Sequence, residues 1–102
     1  MYSQANKRRD RVLILLHARS TGYYLYKVNE WSYVLKKETE EYGVITLNVY
    51  WNSRNGLFTF MSALTHPTQG KKQLTRKRLS VQSVKNLITN PRRHTGRGYY
   101  KK

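Results

Sequence analysis

The sequence predicts an α+β fold: an antiparallel sheet of about four strands with a C-terminal helix packed on one face and a flexible basic tail. Three observations carry that expectation. Two alternating apolar runs flank an Asn-Gly step in the middle of the chain, and an apolar stripe at helical spacing follows Ser80. Apolar residues also concentrate in 12–64 and return in 79–88, which points to one core. At 102 residues a single domain is expected, its core real but not large. It should occupy 11–90, between a basic N-terminal arm over 1–10 and a Tyr/Arg tail over 91–102.

The run Val12-Leu13-Ile14-Leu15-Leu16 is too short for its period to separate strand from helix. Ser20-Thr21-Gly22 reads as a turn, and Tyr23-Tyr24-Leu25-Tyr26-Lys27-Val28 is rich in strand formers. A β-hairpin with strands near 11–18 and 23–28 is therefore expected. Residues 29–42 fit two patterns. Trp31, Val34, Leu35 and Tyr42 share a helical face, with Asn29 as cap and Gly43 as stop. As a strand, Trp31, Tyr33 and Leu35 alternate with Ser32 and Val34, and residues 36–41 form a solvated turn. Aromatic and β-branched content tilts the balance to strand.

The clearest element follows. Ile45, Leu47, Val49 and Trp51 fall on one face of a strand, with Thr46 and Asn48 on the other. Asn52-Ser53-Arg54-Asn55-Gly56 supplies a turn whose Asn-Gly step tolerates positive φ, and Phe58, Phe60 and Leu64 return on one side. That strand should end near His66, because Pro67 cannot donate to a ladder. Residues 68–72 read as a loop. Ser80 caps a helix whose Val81, Val84, Leu87 and Ile88 form the stripe, and Asn90-Pro91 ends it. A helix of ~9–14 residues is too short to persist alone, so it must dock on the sheet. Docking would leave Lys85 and the Arg76-Lys77-Arg78 cluster facing outward at the helix entrance.

The charge is sharply divided. Residues 1–41 hold eight bases and all five acids, a net +3; residues 42–102 hold twelve bases and no acid, a net +12. Soluble surfaces ordinarily intersperse both signs, because a one-signed surface repels itself. A polyanionic partner is expected, and nucleic acid is the commonest. The candidate binding residues are Lys71, Lys72, Arg76, Lys77, Arg78 and Lys85, with Arg92, Arg93, Arg97, Tyr99, Tyr100, Lys101 and Lys102 of the tail. Arg offers forked donors to phosphate, and Tyr offers a stacking face to an unpaired base. Of the tyrosines between 23 and 50, most are expected to be strand residues with buried rings, leaving one or two for a stacking platform.

Other classes are poorly served. With no Cys there is neither disulfide nor thiolate metal site, and His17, His66 and His94 lack metal-ligand spacing. The five-residue apolar run falls short of the ~20 needed for a bilayer span. His17-Ala18-Arg19 also interrupts it before the roughly 7–15 residues of a signal-peptide core. Cytoplasmic residence, with no membrane, cofactor or metal, is the expectation. His94 and Arg97 followed by Tyr99 and Tyr100 are similar to the His-x-x-Arg and nucleophilic Tyr of tyrosine recombinases, but the spacing is too tight for separate catalytic elements. Residues 21–26 resemble the opening strand of GIY-YIG nucleases, yet no second Tyr-Ile-Gly follows, and no carboxylate after Glu41 is left to hold a metal.

The sequence therefore favours a non-catalytic nucleic-acid-binding module, with RNA or single-stranded DNA ahead of duplex. Two alternatives stand beside it. One is a phage- or plasmid-type interaction protein that inhibits a host ribonucleoprotein or RNA-guided nuclease, and the other is a structural component of an RNA–protein assembly.

Overall fold

The computed structural model describes residues 3–68 and 70–91. Its elements run α1 (Gln4–Ser20), β1 (Tyr24–Val28), β2 (Ser32–Thr39), β3 (Gly43–Trp51), β4 (Phe58–His66), β5 (Gly70–Leu79) and α2 (Val81–Thr89). All five strands pair antiparallel in chain order, β1-β2-β3-β4-β5, as a meander. The α+β expectation holds, with one strand more than expected and a second helix at the front.

That first helix corrects the expected strand at 11–18, and residues 4–10 belong to it rather than to a loose arm. The local signals were divided. Ala5, Lys7, Arg8, Arg9, Arg11, Leu13, Leu15, Leu16 and Ala18 are all strong helix formers, and their summed preference outweighs Val12 and Ile14. Ser3 supplies the start as a capping box: its hydroxyl accepts from the Asn6 N–H, and the Asn6 side chain accepts from the Ser3 N–H. Gly22 supplies the stop. Its φ of +97° lets the Tyr23 N–H reach the Ala18 carbonyl and its own N–H reach that of Arg19, the Schellman pattern of a helix end. The Ser20-Thr21-Gly22 turn is thus real, but it joins a helix to a strand.

Residues 32–39 are strand, as the aromatic and β-branched content suggested, but β2 runs on through 36–39, where a solvated turn was expected, because those residues pair with Thr46 to Gly43 of β3. The β3–β4 hairpin matches its sequence signature, with Gly56 at φ +68° in the turn. Gly43 is required where β3 begins: a Cβ there would sit 2.1 Å from the Thr65 carbonyl oxygen. The fifth strand takes in 70–72 of the loop expected at 68–72, leaving Thr68 in a turn, and Arg76, Lys77 and Arg78 are strand residues. They still stand one residue before the N-cap Ser80 of α2, whose predicted start and stop both hold. Strand β5 is an edge with both faces largely solvated, so it carries no apolar alternation by which it could be read.

The inner face of the sheet carries the core. Tyr33, Leu35, Ile45, Leu47, Val49, Trp51, Phe58, Phe60 and Leu64 are buried with Ile14 and Ala18 of α1 and Val84, Leu87 and Ile88 of α2. Both helices therefore lie on that face, joined by a 2.7 Å contact between His17 Nε2 and Thr89 Oγ1. Trp31 stacks on Trp51 with ring centres 6.0 Å apart and planes within 1°, and the buried Lys7 ammonium sits 4.2 Å from the Trp31 ring centre. Among the described residues no helix is long and apolar enough to cross a membrane. The tail residues Arg92, Arg93, Arg97, Tyr99, Tyr100, Lys101 and Lys102 lie outside the described part.

Candidate nucleic-acid interface

Because strand side chains alternate, the sheet has a second face, and neither helix covers it. Its composition follows from the register. Lys27 of β1 stands beside Val34, then Asn48, Met61 and Thr75 across the sheet. The neighbouring row runs Tyr24, Lys36, Thr46, Ala63 and Gln73. Glu38, Val44, Thr65 and Lys71 make a third row, while Tyr50 and Thr59 stand in a fourth, next to Lys77. The middle of this face is made of short polar and small side chains. Lysines stand along both edges, and Glu38 is the single carboxylate in those rows.

Three tyrosines rise from it. Tyr24, Tyr26 and Tyr50 are 49%, 60% and 42% exposed, whereas Tyr23, Tyr33 and Tyr42 are buried. Tyr26 is an extra residue: Leu25 pairs with Leu35 and Lys27 with Val34, so Tyr26 bulges out of the ladder. Its ring is held under the Lys36 ammonium at 3.9 Å, a cation–π pair on the open face. The buried phenols differ in kind. Burial pushes the Tyr23 and Tyr33 hydroxyls well above the ordinary phenol range, with Arg11 partly opposing this at Tyr33. They stay neutral at physiological pH and belong to the core.

The predicted cations are brought together on one element. Lys71, Lys72, Arg76, Lys77 and Arg78 all lie on β5, which spreads them over roughly 23 Å of sheet edge. Pairing with Thr65 puts Lys71 on the open face, and the alternation from Arg76 puts Lys77 there too. Lys72 and Arg76, opposite Leu64 and Phe60, point to the helix side. Lys85 is half-buried on α2 and so stands apart from the strand ladder. Among the described residues, Lys71, Arg76, Lys77 and Arg78 form no ion pair; Asp10 is taken by Arg9 at 3.0 Å. Glu38 stands three strands from Lys71, about 14 Å away. The early carboxylates therefore leave those four cations uncompensated.

Lys27, Lys36 and Met61 had no place in the sequence-derived site, and where one or two of the tyrosines between 23 and 50 were expected to stay exposed, three do: Tyr24, Tyr26 and Tyr50. The alternation of β3 already sets Thr46 and Asn48 opposite the core residues, so an outer face was legible there. Which side chains join it from other strands depends on pairing, which composition does not reveal. Among the described residues no three His, Asp or Glu side chains gather as a metal site. The chain matches no family model, no curated protein and no solved structure.

Proposed function

We propose that this is a non-catalytic nucleic-acid-binding protein that lays a single-stranded segment, RNA or single-stranded DNA, across the open face of its sheet. One observation carries the reading: an uncovered face combines three exposed tyrosine rings with lysines on both edges and one carboxylate. Unpaired bases stack on exposed rings whatever their sequence, while edge cations hold the flanking phosphates. A duplex hides its base faces, so rings standing on a sheet gain little from it.

The test is fluorescence anisotropy with labelled single-stranded DNA, single-stranded RNA and duplex at two salt concentrations. If Lys27, Lys36, Lys71 and Lys77 each neutralise one phosphate, log affinity falls with a slope of about −3 against log salt on single strands. That is roughly a fifty-fold loss between about 50 and 200 mM. Affinity no greater than that of an unrelated basic protein, or a preference for duplex, would overturn the reading.

A second reading has its own observation. Val12, Leu13 and Leu16 of α1 and Leu25 and Val28 of β1 are exposed aliphatics at the opposite edge of the molecule. A groove of about 380 Å³ between these elements is lined by Val12, Leu15, Leu25 and Val28, with Lys7, Arg8 and Arg11 along it against one carboxylate, Glu30. Such a patch fits a protein partner bearing apolar and acidic side chains, which suits an inhibitor of a host ribonucleoprotein or an assembly component. Tight capture of one protein complex, with naked nucleic acid held only loosely, would favour this reading.

A further inference from the structure

The corner where β5 ends beside the β3–β4 loop contains a small recess that the stacking face does not explain. It encloses about 250 Å³ and is lined by the polar Asn52, Asn55, Thr59, Lys77 and Arg78 together with Leu57 and Phe58. Both asparagines are already committed in one direction. The Asn52 Oδ1 accepts from the Arg54 N–H at 2.8 Å, and the Asn55 Oδ1 accepts from the Leu57 N–H at 2.9 Å. Each amide oxygen is thus turned toward the loop, which leaves the NH₂ as the group directed away from that bond. The Lys77 ammonium and the Arg78 guanidinium are donors only, both asparagines keep a free NH₂, and the Thr59 hydroxyl can donate as well, so donors outnumber acceptors around the recess. No carboxylate lines the recess.

The backbone adds an independent sign. Phe58 pairs with Leu79 and Phe60 with Arg76, so Lys77 and Arg78 together oppose Thr59 in a bulge. The bulge has a packing use, since the additional residue turns Leu79 back to the core side opposite Phe58. Any residue tolerant of positive φ would serve that use, and Gly is the relaxed choice. The position holds Arg at φ +59°, the one non-glycine residue with positive φ among those described. A strained long cation where an unstrained glycine suffices points to a role for its side chain.

We infer that this recess is a phosphate-binding site, and, resting on the nucleic-acid reading above, that its ligand is the terminal phosphate of the bound strand. A terminal monoester presents three unesterified oxygens where an internal diester presents two, and so better matches a recess of converging donors. The recess also lies at the corner of the open face, next to Tyr50 and Thr59, where a strand crossing that face would end.

The experiment uses the full chain and an oligothymidylate of about ten nucleotides, labelled internally, with a 5′-phosphate, a 3′-phosphate or neither. One phosphorylated end should bind about tenfold more tightly than the unphosphorylated strand. Arg78→Gly and Asn55→Asp should each abolish that difference. Asn55→Asp keeps the oxygen that accepts from Leu57 while replacing a donor with negative charge. Arg78→Gly removes backbone strain, so its melting temperature should equal or exceed that of the parent, which a purely structural arginine would not allow. Equal binding of all three oligonucleotides overturns the site and leaves the stacking face standing. A parallel NMR titration with inorganic phosphate reads the Asn52 and Asn55 side-chain amides. Shifts there without oligonucleotide binding would reassign the recess to a free phosphate ester and overturn the polynucleotide reading; no response to either ligand overturns both.

Discussion

The Lys36 ammonium lies 3.9 Å from the centre of the Tyr26 ring, on the one face of the sheet that neither helix covers. The pair joins β1 to β2 through side chains at the point where the β1 ladder is broken by a bulge. It holds in place a ring that would otherwise rotate freely at 60% exposure. Removing the ring should therefore affect binding and leave the fold nearly intact. Tyr26→Ala is expected to weaken single-stranded oligonucleotide binding by ~1–3 kcal/mol with little change in melting temperature. Anisotropy and thermal denaturation of the same samples check it, and unchanged affinity would remove Tyr26 from the interface.

Lysines on the two edges of the face should act as phosphate contacts, independent of base identity. The double variant Lys71→Gln, Lys77→Gln is expected to make the salt dependence shallower by about 1.4 on single strands, uniformly across base compositions. A slope equal to that of the parent would mean that β5 does not touch the strand.

The two deeply buried phenols separate a satisfied hydroxyl from an orphaned one. The Tyr33 hydroxyl donates to the Arg11 carbonyl at 3.1 Å, whereas the Tyr23 hydroxyl has no hydrogen-bond partner among the described residues. Tyr33→Phe should cost about 1 kcal/mol, while Tyr23→Phe should be neutral or stabilising, because it removes a buried polar atom that nothing satisfies. The same burial raises both folded-state pKa values above the unfolded value of about 10. The folded state then holds its protons longer than the unfolded state. Stability is untouched below pH ~10 and falls above it, by up to ~1.4 kcal/mol per pH unit for each tyrosine. Urea denaturation from pH 8 to about 11 measures this, and each Phe variant should lessen the fall.

Gly43 tests the sheet itself. At φ +76°, where a Cβ would fall only 2.1 Å from the Thr65 oxygen, it admits no side chain without moving β4. Gly43→Ala should cost about 3 kcal/mol or more and lower Tm by more than ~10 °C. A smaller loss would mean that the β3–β4 pairing can shift at that end.

Strong periodicity and strong turn chemistry were legible from residues alone. The alternation from Ile45 to Trp51, the Asn-Gly turn and the return through Phe58 and Phe60 led directly to β3 and β4. Ser80, the Val84-Leu87-Ile88 stripe and Asn90-Pro91 led to α2. Two elements were misread for different reasons. The apolar run of α1 buries only part of itself, leaving Val12, Leu13 and Leu16 exposed, so it shows no clean helical stripe. Strand β5 is an edge whose lysines and arginines meet solvent on both sides, so its order comes from hydrogen bonding to β4 rather than from burial.

The amino-acid order by itself determined the charge division and the central hairpin, because both are local: one is a count, the other a two-residue period ending in a turn. Tertiary pairing alone decided that Tyr24, Tyr26 and Tyr50 share one open face with Lys27, Lys36, Lys71 and Lys77. It likewise decided that Arg78 stands in a bulge beside Asn52 and Asn55. The physical reason is register. Neighbours across a sheet are set by backbone hydrogen bonds between segments far apart in the chain, and a one-residue slip would send each of those side chains to the other face.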